Sequence, residues 1–125
     1  MSVTNSLKTY SKQMVLSSDL NRHGTLFGGR LMSWMDISAA MHAAEIMNMN
    51  CVTVKANEIV FKAPAHLGDI ITFEAWELER GTTSLTVGIR VTKSNLKERD
   101  VEIATSSFKF VAIGEDGRPS SKWNK

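Results

Sequence analysis

Apolar and polar positions alternate, then change period, then alternate again along this chain. Over residues 10–17 the alternation is weak and predicts a short first strand. The segment Asp19-Leu-Asn-Arg-His-Gly24 concentrates turn formers and reads as a loop. From residue 29 to about 49 there is no proline and no internal glycine after the start. Leu31, Trp34, Met35, Ser38, Met41, His42 and Glu45 recur there at helical spacing, which predicts one long helix. Beyond it, the β-branched Val52-Thr-Val54 leads through Glu58-Ile-Val-Phe-Lys62 to Pro64, which a central strand cannot contain. Runs over residues 69–80, 83–93 and 101–113 then alternate cleanly, for example at Leu85, Val87, Ile89 and Val91.

The connections between these last runs, His66-Leu-Gly-Asp69, Arg80-Gly-Thr-Thr83 and residues 94–100, are too short for crossover helices, so the strands must pair antiparallel. A doubly wound parallel sheet is thereby excluded. The expected fold is α+β, a curved antiparallel sheet of about five strands wrapped around one long central helix. Residues 1–113 would form the single domain, and the polar residues 114–125, with their Gly and Pro, a flexible tail. Apolar helix surface that the sheet leaves bare would be covered by a second copy, which predicts a homodimer.

Length and charge narrow the picture further. A chain of 125 residues supports one core but not two. No apolar run reaches the roughly eighteen residues of a membrane span, and residues 1–6 lack the basic start and apolar stretch of an export signal, so a cytoplasmic protein without membrane partners is expected. Cys51 is the single cysteine, which leaves no internal disulfide and no thiolate zinc site within one chain. A net charge of +2 gives no case for a nucleic-acid partner; Lys93, Lys97, Arg99, Arg118, Lys122 and Lys125 read as solvated surface. The three histidines show no metal-ligand spacing, and no metal or cofactor is expected.

The chemistry concentrates in Asn21-Arg-His-Gly-Thr-Leu-Phe-Gly-Gly-Arg-Leu-Met-Ser-Trp-Met-Asp36, where a glycine-bearing turn runs into a largely apolar helix interrupted by one carboxylate. An acid in such a helix costs several kcal/mol, in rough terms, unless it is paired, hydrogen-bonded or open to a cleft. Three further motifs follow in order: Met35-Asp36, Phe61-x-x-Pro64-x-x-x-Gly68-Asp69, and Arg80-Gly-Thr-Thr-Ser84. With Asp19-x-Asn21-x-x-Gly24-x-x-Phe27-Gly28-Gly29 at their head, they resemble the hotdog-fold acyl-CoA thioesterases, in particular the single-domain cytoplasmic acyl-CoA hydrolase branch. The resemblance spans residues 19–84 in motifs and extends to about residue 113 in strand pattern.

That resemblance implies hydrolysis of acyl-CoA to CoA and a free carboxylic acid by a homodimer or a higher homo-oligomer, tetramer or hexamer, with active sites at the dimer interface. It also implies that the amide of Asn21, seven positions before Gly28, helps polarise the thioester carbonyl. Independently of it, unpaired amides at a helix start favour negative charge, and Gly28 and Gly29 leave them open to a developing oxyanion. Asp36 is then the general base on water or the nucleophile. Gly28 and Asp36 are separated by about 12 Å of helix rise. One thioester carbon meets both only if they come from different protomers with helices side by side in opposite senses. For coenzyme phosphates, Arg80, Ser84 and Lys93 offer hydroxyl and cationic groups. His23 is expected outside direct catalysis, His42 and His66 as structural, and Cys51 as a small buried hydrophobe. The competing reading is a non-catalytic acyl-CoA binding or sensing module, which normally requires an output domain.

Overall fold

The computed structural model describes residues 7–124. The polar residues 1–6 and Lys125, counted above with the tail cations, lie outside them. Strand β1 (Lys8–Met14) is followed by a 3-10 turn (Ser17–Asp19), helix α1 (Gly28–Met47), and strands β2 (Cys51–Ala56), β3 (Val60–Phe61), β4 (Ile70–Arg80), β5 (Ser84–Ser94) and β6 (Val101–Ala112). The sheet order is β1-β4-β5-β6-β2, all antiparallel, with the two-residue β3 added to the same edge of β6. This is the antiparallel sheet around one long helix expected from the pattern, one strand richer. No described helix is long and apolar enough to cross a membrane.

α1 ends two residues earlier than its apolar periodicity because Asn48 takes a left-handed conformation, φ 50°, and its N–H returns to the Ala44 carbonyl at 2.8 Å. Asparagine tolerates that conformation better than most residues, and it is a standard helix stop. The buried stripe of α1 is Leu31, Met35, Ser38, Ala39, His42, Ala43 and Met47. It packs on the inner face of the sheet, against Phe73, Leu85, Ile89 and Phe110 among others. Small residues at Ser38, Ala39 and Ala43 let the helix axis approach the strands closely.

The sheet curves because each long pairing carries an extra residue. Register shifts fall at Tyr10 in β1, Val54 in β2, Leu78 in β4 and Ile103 in β6. Bulges of this kind bend a strand and redirect a side chain. On the outer face Trp76 lies flat over Gly88, where a Cβ would come within 2.3 Å of the indole ring. Beside it Arg90 bridges Glu74 at 2.9 Å and Glu102 at 2.7 Å, and Glu102 also pairs with Lys62.

The polar residues 114–124 turn back on the sheet end. Ser120 donates to the Ala112 carbonyl, Asn124 Nδ2 donates to the Gly81 carbonyl, and Trp123 packs against the core under the Arg80 guanidinium.

The bulged Tyr10 reaches α1. Its hydroxyl lies 2.6 Å from His42 Nδ1 and donates to Glu45 at 2.9 Å. A phenol has one proton, so with Glu45 taking it, Nδ1 keeps its own and donates to the Tyr10 oxygen. Nε2 is left as a bare, buried acceptor with no partner among the described residues. A proton added there would be a buried, unpaired N–H. Burial first, then the Lys8 ammonium, push the His42 pKa down against the opposing pull of Glu45 and Glu77. The unfolded chain therefore binds a proton at His42 more readily than the folded chain, so the contribution of His42 to stability falls as pH drops below the ordinary imidazole value of about 6.5. Melting temperature followed from pH 7 to 5 should decline in the wild type. In His42→Asn, which retains a donor toward Tyr10 but cannot titrate, the decline over that window should be shallower.

Candidate active site

The start of α1 is unusually open. Phe27, extended at φ −65° and ψ 128°, is the residue before the first helical turn and makes no side-chain cap. The first amides of a helix have no intrahelical acceptor, and they carry the positive end of the macrodipole. Gly28 faces the Phe61 ring, which a Cβ would meet at 3.9 Å, and a Cβ on Gly29 would strike the Phe27 ring at 2.7 Å. A mostly apolar cleft of about 370 Å³ opens beside Gly28, walled by Leu26, Leu31, Phe61, Ala63 and Ile103.

The preceding loop is fastened at both ends. Asp19 is buried, accepts the Leu16 N–H at 2.9 Å and meets Arg30 at 3.2 Å. Its carbonyl accepts the Phe27 N–H at 2.8 Å, and Leu20 pairs with Leu26 across the loop. Asn21 sits inside this closure, half-buried, with Oδ1 accepting the N–H groups of His23 and Thr25. Asn21 and Gly28 are thus held on one short, rigid segment.

Two turns further along α1, Asp36 is half-buried and accepts a hydrogen bond from Thr53 Oγ1 at 2.9 Å. Thr53 pairs with the inward-facing Phe110, which turns its hydroxyl toward the helix. Around this acid the surface is apolar and exposed: Met32 and Ile37 on α1, Val52 and Val54 on β2. β2 is an edge strand in the single chain, and its residues 52–56 are all exposed. The carboxylate therefore lies at the border of an uncovered apolar face, on the same helix as Gly28 but about 12 Å along its axis.

The groups expected to meet phosphates are not assembled into one site. Arg80 and Ser84 flank the β4–β5 turn, whereas Lys93 lies nine residues along β5, about 30 Å away at the rise of an extended strand. Lys93 is also only 7% exposed and donates to the Pro64 carbonyl at 2.7 Å, with Glu98 at 3.9 Å. A lysine in that position is an internal tie between β5 and the loop before β4, because its buried ammonium is spent on a backbone carbonyl. Arg80 is engaged twice, in a two-pronged pair with Glu77 at 2.7 and 2.9 Å and over the Trp123 ring at 5.0 Å. The same pair holds the Glu77 carboxyl below its usual pKa and the guanidinium above its own.

Residues 23–99 match the family model of the thioesterase superfamily. The chain belongs to that superfamily. Among the similar proteins is the acyl-CoA thioester hydrolase YciA of Escherichia coli strain K12, 32% identical over 112 residues, a match covering 86% of this thioesterase and 85% of the relative. An apo-hexameric acyl-CoA thioesterase of known structure superposes with a TM-score of 0.87 at 32% identity, over 94% of this chain and 76% of that one. The acyl-CoA hydrolase of Staphylococcus aureus, solved in complex with butyryl coenzyme A, coenzyme A and coenzyme A disulfide, gives a TM-score of 0.86 at 28% identity, over 94% and 72% of the two chains. That enzyme has also been solved with alanine in place of one aspartate, one threonine and one asparagine.

Two contributors to this thioesterase's candidate site escape the sequence pattern. Thr53 reads only as one member of a β-branched run; its signal was the need of Asp36 for a donor from whichever strand packs beside the helix. His23 contributes through its backbone N–H rather than its imidazole, a role no side-chain pattern reports.

Proposed function

We propose that this thioesterase hydrolyses acyl-CoA to CoA and a carboxylic acid at sites composed from two copies of the chain, each site taking Asn21 and Gly28 from one protomer and Asp36 with Thr53 from its partner. The observation that carries the reading is the placement of Asp36: a partly solvated carboxylate, oriented by one hydroxyl, beside an uncovered apolar face and about two helical turns from the open amides of Gly28. A second copy laid antiparallel on that face would bring its own Gly28 toward this Asp36. In the Staphylococcus aureus hydrolase the substituted aspartate lies 15 residues after the asparagine and 17 before the threonine. Asn21, Asp36 and Thr53 have the same two spacings here, which supports carrying the three roles over together.

In the reaction so assigned, the thioester carbonyl oxygen accepts the Gly28 N–H and the Asn21 amide N–H, which favours the charge that develops on it. Asp36 takes a proton from the attacking water, the C–O bond forms, the C–S bond breaks, and the proton passes to the departing thiolate. Thr53 holds the carboxylate in one rotamer during this exchange. The cleft beside Gly28 suits the apolar part of the acyl group. With similar thioesterases described as hexamers, assembly beyond a dimer is proposed for this chain as well.

Three outcomes test the assignment. Asp36→Asn should preserve the circular dichroism spectrum and oligomer mass while kcat for butyryl-CoA falls by about a hundred- to ten-thousandfold; full activity in that variant would end the role of Asp36. Thr53→Val should lower kcat by roughly tenfold, the scale of one hydrogen bond to a charged group. Co-expression of Asn21→Ala with Asp36→Asn chains should restore activity, since random pairing leaves about one site in four intact. Mixtures no more active than the separate variants would refute sites shared between protomers.

A further inference from the structure

We infer that Thr25 is a positioning residue whose hydroxyl aims the Asn21 amide at the thioester carbonyl; the inference rests on the role proposed above for Asn21. Every polar atom of the Asn21 side chain but one N–H is committed within its own loop. Oδ1 accepts the His23 N–H at 2.8 Å and the Thr25 N–H at 3.1 Å, which uses both of its lone pairs. The reversed amide would turn an NH2 group toward those two donors, so the orientation is set by the network. Nδ2 donates to Thr25 Oγ1 at 2.9 Å, which consumes one of its two hydrogens. The second N–H is the one group on this side chain left for a ligand.

The frame behind this contact is rigid. Asn21 and Thr25 are joined by a backbone hydrogen bond at 2.8 Å, and Gly24, at φ +81°, allows the chain to turn between them. Thr25 pairs with His66, and the next residue, Leu26, donates to the Ala65 carbonyl at 2.8 Å. Backbone contacts thus close the loop on both sides of Thr25 without help from its hydroxyl.

A turn of this type needs only the side-chain oxygen of Asn, and an Asp would supply it equally well. The Nδ2 to Thr25 bond adds nothing to the turn that the two backbone N–H groups do not already secure. What it fixes is the direction of the remaining N–H. Among the described residues, Thr25 is the one side chain hydrogen-bonded to Asn21. Holding a donor in place before substrate arrives is the form of stabilisation that raises kcat rather than affinity.

The test is a double-mutant cycle on the full chain with butyryl-CoA, reading kcat, KM and melting temperature for wild type, Asn21→Ala, Thr25→Val, Asn21→Ala/Thr25→Val and Thr25→Ser. Thr25→Val should lower kcat by about tenfold with KM and melting temperature nearly unmoved, and Thr25→Ser should restore most of it. In the Asn21→Ala background the Thr25→Val change should cost nothing further. An equal loss in both backgrounds, wild-type kcat in Thr25→Val, or no rescue by serine would overturn the inference while leaving Asn21 in its role. Wild-type kcat in Asn21→Ala would remove that role and the inference with it. Thr25→Ala provides a second hydroxyl-free variant; loss of fold in both would show that the hydroxyl holds the loop and would likewise overturn the inference.

Discussion

The packing of α1 across the inner face of one curved sheet governs the rest of this molecule, because a single helix against a single sheet can bury only one of its sides. The stripe from Leu31 to Met47 spends its apolar surface on the strands. Among the described residues nothing covers Met32 and Ile37, nor Val52 and Val54 on the neighbouring strand. Polar groups placed on that border are consequently poised between solvent and whatever covers it. Asp36 is such a group, and its bond to Thr53 joins the two elements that frame the uncovered surface.

The loop before the helix works by the complementary logic. There the backbone does the fastening, through Asp19, Leu26 and Ala65, and leaves a helix start without a cap. Donors that an ordinary helix would satisfy with a Ser or Asp side chain remain open beside an apolar cleft. The proposed chemistry thus draws on two local departures from self-sufficiency, an uncapped amide end and an acid with one internal partner. Each would be a defect in a helix that served only to fill a core.

Much of this was legible in the pattern of residues. The long helix and the strands β4 to β6 were plain, because their periods are long and unbroken, and turns between them too short for helices fixed antiparallel pairing. Boundaries moved where local chemistry outweighed periodicity, as at Asn48, which stops the helix while Met49 still fits its rhythm. β3, at two residues, is too short to carry a period. Asp36, Gly28 and Asn21 stood out by residue type against an apolar or turn-forming background. Thr53 did not, since a threonine in an edge strand is ordinary until the strand is placed beside an acid. Lys93 misled for the opposite reason: a lysine reads as surface by composition, and only the fold shows its ammonium turned inward onto Pro64.

The free edge of β2 has a thermodynamic consequence. A row of unpaired strand amides and carbonyls next to bare apolar side chains is a template for adding another strand, and natural sheets rarely leave one undefended. Here neither proline nor a run of charges blunts it; Lys55 is the single ion between Cys51 and Ala56. Any chain that docks along that border recognises the folded form alone, so by mass action it draws the folding equilibrium with it. Were a second copy of the chain to dock there, dilution would act as a mild denaturant, and resilience would depend on concentration as much as on the core.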